Sequence, residues 1–150
     1  CKRKSRLLEE KSGGFLMSNF INKIKSIKHV EFSKGATKEQ VRDAEKTLQL
    51  KFPKDYSDYL NVFGCISFFG TEWTGLNGAD YLNVVDATAE ARETYSDFPI
   101  NMFIIEDLGF DGYLILSNTK GDIFEWQHGN CTKIYTSLED YLNECLERID

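Results

Sequence analysis

Apolar residues recur three and four positions apart in two successive segments between residues 35 and 64, and this spacing predicts two amphipathic helices. Their apolar positions are Val41, Ala44 and Leu48 in the first segment and Tyr56, Tyr59, Leu60 and Phe63 in the second. Thr37 and Gln40 have the spacing of a capping box at the start of the first helix. Pro53 suits the first turn of the second helix, and Gly64 suits a left-handed stop after it. The sequence therefore predicts two helices joined by a proline elbow.

The segments before and after this pair add another helix and the first strands. Apolar residues at helical spacing predict a first helix through Phe20, Ile21, Ile24 and Ile27. Strands are predicted to begin at Ile66. Asn77 and Gly78 can both adopt positive φ, so they predict a two-residue hairpin that joins residues 73–76 to residues 79–82.

The second half of the chain continues with alternating short elements. They are predicted as a helix over residues 84–95, strands over 102–105, 113–117, 122–127 and 132–135, and a closing helix. Thr136 and Glu139 have the spacing of a capping box for that last helix. Short connections between consecutive strands indicate antiparallel pairing. The predicted fold class is α+β: a single domain, mainly an antiparallel sheet with helices packed against one face, with N-terminal helices and a C-terminal helix.

Several motifs resemble those of the SUKH superfamily, a group of bacterial immunity proteins related to fungal cell-wall-assembly regulators. The motifs are the Pro53 elbow with a helix ending at Phe63-Gly64, FFGTEW at residues 68–73, PINMFIIED at 99–107, GDIFEW at 121–126 and SLEDYL at 137–142. The resemblance covers residues 18 to about 149. It implies a protein that binds and neutralises the toxic domain of a polymorphic toxin, frequently a nuclease, inside the producing cell.

The first sixteen residues, CKRKSRLLEEKSGGFL, are basic and lack a folding pattern. They precede Met17, and the Gly13-Gly14 pair must be encoded by two GGN codons, as in the core of a bacterial ribosome-binding site. We interpret residues 1–16 as a translated, non-native leader or a disordered arm, and residues 17–150 as the SUKH-like immunity domain. An authentic basic arm or vector-derived residues are the alternative.

Charge adds a physical argument about the partner. Five of the 18 basic residues and two of the 24 acidic residues lie in residues 1–16, so residues 17–150 carry 13 basic and 22 acidic residues, a net charge of −9. Such a domain repels nucleic acid and attracts basic proteins, which predicts a basic toxin domain as partner and no direct nucleic-acid binding. An acidic surface that serves solubility alone is the alternative interpretation.

Hydropathy and cysteine content predict a cytoplasmic location. No apolar run approaches the roughly 20 residues of a membrane helix, so no membrane partner is expected. The four cysteines, Cys1, Cys65, Cys131 and Cys145, have no metal-binding or C-x-x-C spacing, and we expect them to be reduced thiols.

The residues offer little material for catalysis. His29 and His128 are the only histidines, and no nucleophile accompanies either in a catalytic pattern. The carboxylates near Gly109 and Gly112 lack the ligand spacing of a calcium loop. The sequence therefore predicts no catalytic residues, no metal, no cofactor and no enzymatic activity.

The remaining candidates form a predicted partner-binding surface of aromatic and acidic side chains. They are Glu72, Trp73 and Asp80 beside the predicted hairpin, and Glu106, Asp107, Phe110 and Asp111 in the EDLGFDG loop. Trp73 and Phe110 are candidate anchors of an interface, with packing at the ends of the sheet as the alternative for both. The function predicted first is toxin neutralisation by binding, and the alternative is an intracellular scaffold or regulatory binding module.

Overall fold

The structure, a computed structural model, describes residues 19–148. The helices are α1 (Asn19–Lys25), α2 (Lys38–Leu48), α3 (Lys54–Phe63), a 3-10 helix (Asp80–Leu82), α4 (Val84–Thr94) and α5 (Leu138–Leu146). The strands are β1 (Glu31–Phe32), β2 (Ile66–Phe68), β3 (Thr71–Trp73), β4 (Phe103–Asp107), β5 (Leu114–Ser117), β6 (Ile123–Gln127) and β7 (Asn130–Tyr135). The predicted α+β class is confirmed. The interpretation of residues 1–16 concerns a segment outside the described residues.

The predicted elbow between α2 and α3 is confirmed, with small shifts at its ends. The N–H of Gln40 donates to Thr37 Oγ1 at 3.0 Å, and the N–H of Thr37 donates to Gln40 Oε1 at 2.9 Å, which completes the capping box. Pro53 lies one position before α3, as its N-cap residue. Gly64 ends α3 with a φ of 77° but a ψ of −72°, outside the left-handed helical region.

The first three strands form an antiparallel sheet in the order β1-β2-β3, and its turn differs from the prediction. The chain reverses at Phe69 and Gly70, whereas the predicted Asn77-Gly78 hairpin is wrong. Asn77 has a positive φ, but its Nδ2 donates to the carbonyl of Lys34 at 3.1 Å, and the 3-10 helix follows. A Cβ on Gly78 would lie 2.8 Å from the sulfur of Cys65, so a tertiary contact explains this glycine.

The other four strands form the antiparallel meander β4-β5-β6-β7, which has a buried cluster on each face. Phe103, Ile105 and Ile115 belong to the larger cluster, which also contains apolar residues of α1, α2, α3 and α5. Ile104 and Trp126 belong to the second cluster, which includes Ala91 of α4. Helices therefore cover both faces of this sheet, where one covered face was predicted.

A bulge in β4 changes the direction of its last two side chains. Ile104 pairs with Leu116 and Glu106 pairs with Ile115, so Ile105 is an extra residue in β4. Ile105 and Glu106 consequently both point towards the larger core, and Asp107 is exposed on the side of α4. The bulge therefore separates two carboxylates that are adjacent in the sequence.

The closing helix begins one residue later than predicted. Ser137, not Thr136, caps α5 by accepting a hydrogen bond from the N–H of Asp140 at 3.1 Å. Its apolar stripe is buried as the spacing predicts, including Tyr141 and Cys145. In the described part of the chain no helix is long and apolar enough to cross a membrane.

Candidate partner-binding groove

An open groove of about 680 Å³ lies between α4, the 3-10 helix, β3 and the loop that joins β4 to β5. Its carboxylates are Glu72, Asp80, Asp86, Glu90, Asp107 and Asp111. None of the described residues that line it is Lys, Arg or His. We call this feature the acidic groove. Its volume is in the usual range of ligand-binding clefts, roughly 300–1,000 Å³.

One wall of the acidic groove is a face of α4. Asn83 caps this helix by accepting a hydrogen bond from the N–H of Asp86 at 3.0 Å. Asp86, Glu90 and Thr94 follow at intervals of four, so they lie on the same face, and all three line the groove. Asp86 and Glu90 were not among the contact residues predicted from the sequence. The sequence shows that these two carboxylates share one face of a helix. It does not show that the packing of α4 turns this face towards the EDLGFDG loop.

The opposite wall contains a tyrosine held by a carboxylate. Tyr81, in the 3-10 helix, donates its hydroxyl hydrogen bond to Glu72 Oε2 at 2.5 Å. This bond raises the pKa of Tyr81 because ionising the phenol would remove its donor and place a second negative charge beside Glu72. The ring remains 66% exposed. The acidic groove thus presents an aromatic ring fixed beside a carboxylate.

The loop between β4 and β5 forms the third side. The N–H of Gly109 donates to Asp107 Oδ1 at 2.8 Å, and Gly109, Asp111 and Gly112 all have positive φ. This conformation leaves Phe110 60% exposed, with its ring centroid 5.4 Å from that of Tyr113. The loop therefore holds an exposed aromatic side chain in the same segment as two carboxylates.

Asp111 also ties this loop to the turn between β6 and β7. Gln127 Nε2 donates to Asp111 Oδ2 at 3.2 Å, and His128 Nε2 lies 3.2 Å from Asp111 Oδ1. His128 has a φ of 49° and occupies a turn. These contacts fix one rim of the acidic groove.

The floor of the acidic groove is apolar. Its residues are Leu82, Ala87, Ala91, Ile104 and Leu114. Ala91, Ile104 and Leu114 belong to the second hydrophobic cluster, so this floor is the outer boundary of a packed core. The groove therefore combines apolar surface below with carboxylates around it.

The structure buries two of the seven predicted contact residues. Trp73 is 0% exposed and stacks between Phe20 and Tyr141, with ring-centroid distances of 6.4 and 6.0 Å. Packing, the alternative for Trp73, is therefore its role. Glu106 is 4% exposed because of the β4 bulge. The other five predicted residues line the acidic groove: Glu72, Asp80, Asp107, Phe110 and Asp111.

Glu106 forms a buried polar network with Tyr141 of α5 and with Arg148, which lies just after that helix. Its Oε1 accepts from the Tyr141 hydroxyl at 2.5 Å, and its Oε2 accepts from Arg148 Nη1 at 3.1 Å. Burial raises the pKa of Glu106, while the Tyr141 hydrogen bond and the Arg148 charge oppose this rise. The network joins β4 to the C-terminal end of the domain and has a structural role.

The geometry of the acidic groove supplies charge and apolar surface without a recognisable reaction centre. Among residues 19–148, no group of three or more His, Cys, Asp or Glu side chains is arranged to hold a metal ion. The thiols of Cys65 and Cys145 are buried, and burial raises the pKa of each. The arrangement can hold a cationic group through several carboxylates at once.

The fold and the groove together define an α+β domain built around an open acidic cleft. The chain matches the SUKH_5 family, described as SMI1-KNR4 cell-wall, over residues 17–147. It therefore belongs to this family, and the predicted membership of the SUKH superfamily is confirmed.

Proposed function

We propose that the protein is an immunity protein that binds a basic toxin domain, a nuclease, and neutralises it in the cytoplasm. The observation that carries this proposal is the acidic groove, in which six carboxylates meet with no basic side chain among the described lining residues. Membership of the SUKH_5 family supports the class of function. In this proposal the protein neutralises the toxin by stoichiometric binding.

Electrostatics gives this proposal a mechanism. A nuclease must hold phosphate groups, so its substrate-binding surface is basic. The net charge of −6 for the whole chain attracts such a surface over a distance and accelerates the encounter. The carboxylates of the acidic groove then bind cationic side chains of the toxin. The bound immunity protein covers the nucleic-acid-binding surface of the toxin or repels nucleic acid from it.

A second candidate function is that of a regulatory binding module. It is favoured by the family description, SMI1-KNR4 cell-wall, which points to regulators of cell-wall assembly. The acidic groove would then receive a basic segment of an endogenous protein. This candidate predicts a phenotype when the gene is deleted alone, whereas immunity predicts lethality only in the presence of the toxin.

Co-expression with a toxin domain encoded by a neighbouring gene tests the proposal. Cells that express the toxin domain should survive with the wild-type protein and die without it. Glu90→Lys should weaken protection, because Glu90 lines the acidic groove. Glu93→Lys makes the same charge change on the same helix at an exposed position outside the lining, so protection should persist. Failure of the wild-type protein to protect against any co-encoded toxin would exclude the immunity function.

A further inference from the structure

The acidic groove has aromatic side chains that charge attraction alone does not require. Tyr81 and Phe110 are two of the large apolar side chains that remain mostly exposed in the described structure, and both line the groove. Exposed aromatic rings that border a cleft are typical of recognition surfaces. A purely solubilising surface would bear carboxylates without these rings.

Each ring is accompanied by carboxylates in fixed positions. Tyr81 is hydrogen-bonded to Glu72, so its ring and that carboxylate keep a constant relation. Phe110 belongs to the same loop as Asp107 and Asp111, and the Gly109 and Gln127 hydrogen bonds hold that loop. The groove therefore contains two aromatic–carboxylate units above an apolar floor.

We propose that the acidic groove binds an extended segment of the partner that bears arginine side chains. The inference rests on the proposed function, because it specifies how the basic toxin domain would be recognised. A guanidinium group can stack on an aromatic face and donate to a carboxylate at the same time. Each aromatic–carboxylate unit offers both contacts, and the carboxylates of α4 receive further guanidinium groups.

Arginine fits this surface better than lysine for two physical reasons. A guanidinium group is planar and weakly hydrated, so it stacks on Tyr81 or Phe110 at a lower desolvation cost than an ammonium group. It also donates two parallel hydrogen bonds to one carboxylate, which an ammonium group does not. The aliphatic stem of arginine lies against apolar surface, here the floor that includes Ala87 and Ala91.

The size of the groove indicates a segment rather than one side chain. A volume of about 680 Å³ is the size of a cleft that holds a ligand of many atoms, and it exceeds what one side chain fills. The hydrogen bonds of Tyr81 and of the β4–β5 loop arrange the groove before binding, which lowers the entropic cost of association.

Calorimetric titration of the full-length protein with two synthetic peptides tests the inference. One peptide alternates arginine with glycine, and the other alternates lysine with glycine at equal length and charge. We expect the arginine peptide to bind about fivefold more tightly at roughly 0.15 M salt, the factor that exposed cation–π contacts supply. Equal affinities, or no measurable binding of the arginine peptide, would overturn the inference.

Matched variants locate the binding. Phe110→Ala and Tyr81→Leu should remove most of the preference for arginine, whereas Tyr81→Phe keeps the ring and should retain much of it. Glu90→Gln should weaken both peptides, and Glu93→Gln, on the same helix but outside the groove lining, should weaken neither. Equal losses from Glu90→Gln and Glu93→Gln would place binding elsewhere and overturn the inference.

This experiment requires no toxin, so it separates the two proposals. Binding of the arginine peptide in the groove without protection of cells from any toxin would support the inference and exclude immunity. Protection that persists in Phe110→Ala, together with equal affinities of the wild-type protein for the two peptides, would support immunity and exclude the inference.

Discussion

Glu106 shows how one residue can look like a surface contact in the sequence and become part of the core. It is buried, accepts hydrogen bonds from Tyr141 and Arg148, and has a pKa raised by burial. Asp107, its neighbour, is exposed and lines the acidic groove. The two carboxylates therefore differ in role: Glu106 joins β4 to α5, and Asp107 borders the candidate site.

The raised pKa of Glu106 predicts a specific dependence of stability on pH. Its folded-state pKa lies above the ordinary value of 4.5, so the folded state binds the proton more tightly than the unfolded state. The contribution of Glu106 to the free energy of unfolding is therefore greatest below pH 4.5 and declines as pH rises through the folded-state pKa. Glu106→Gln stays neutral and should lack this decline. Urea denaturation of both proteins between about pH 4 and about pH 7 measures it, and parallel stability curves would contradict this account.

Trp73 and Phe110, the two aromatic residues predicted as interface anchors, should differ in their contribution to stability. Trp73→Ala removes a fully buried ring from the stack with Phe20 and Tyr141, and should lower the free energy of unfolding by about 3–5 kcal/mol. Phe110→Ala removes a mostly exposed ring and should cost less than about 1 kcal/mol. Chemical denaturation of the two variants gives the comparison. Similar losses would contradict the burial of Trp73 or the exposure of Phe110.

Helix α4 carries two of the six carboxylates of the acidic groove. Asp86 and Glu90 are one turn apart on its exposed face, and Glu93 lies three positions beyond Glu90. Like charges at these spacings disfavour a helix by a few tenths of a kcal/mol per pair. The repulsion between Asp86 and Glu90 therefore lies on the face that lines the acidic groove, which is expected where binding requires the charge.

Glu90→Lys should make α4 more stable while it weakens protection against the toxin. The new lysine would attract both Asp86 and Glu93, so the free energy of unfolding should rise by about 0.5 kcal/mol at low ionic strength. Thermal or urea denaturation measures the gain, which should shrink in high salt. A clear loss of stability would contradict the repulsion inferred between the carboxylates of α4. In that case, loss of protection would be an effect of impaired folding.

Local elements could be predicted from the sequence, whereas features that depend on distant contacts could not. The capping box at Thr37 and the elbow at Pro53 involve neighbours in the sequence, and their patterns predicted α2 and α3. The hairpin prediction at Asn77 failed because the side chain of Asn77 is bonded to the carbonyl of Lys34. The β4 bulge was equally unpredictable, since only the pairing with β5 reveals its extra residue.

The candidate site follows the same distinction. The charge of Asp80 and Asp107 and the aromatic ring of Phe110 indicated these residues without any knowledge of the fold. The structure brings all three to one groove. Asp86 and Glu90 were missed because nothing in the sequence of α4 states which element it faces. Trp73 was misassigned because its partners, Phe20 and Tyr141, are far away in the chain.

The net charge of −6 predicts electrostatically steered association with the proposed basic toxin domain. The association rate constant should fall by about tenfold between low and high salt, while the dissociation rate constant changes less. Stopped-flow or surface-binding kinetics over a range of ionic strength measures both constants. An association rate that does not depend on salt would show that the acidic surface has no role in the encounter.

A matched pair of double variants tests whether the acidic groove is the surface that binds the proposed toxin domain. Asp86→Asn with Glu90→Gln removes two charges from the groove. Asp140→Asn with Glu93→Gln removes two charges from exposed positions outside the lining of the groove. Asp140 is the third residue of α5, as Asp86 is the third residue of α4. The two double variants therefore share their net charge and similar helical contexts.

The measurement is the dissociation constant of each double variant with the co-encoded toxin domain, with circular dichroism as the control for folding. The account predicts at least about tenfold weaker binding for the groove variant, since lost hydrogen bonds to charged groups cost about 1.5–3 kcal/mol each. The matched variant should bind within about twofold of wild type, the effect expected of peripheral charges. Equal dissociation constants for the two double variants would contradict the assignment of the acidic groove as the binding site.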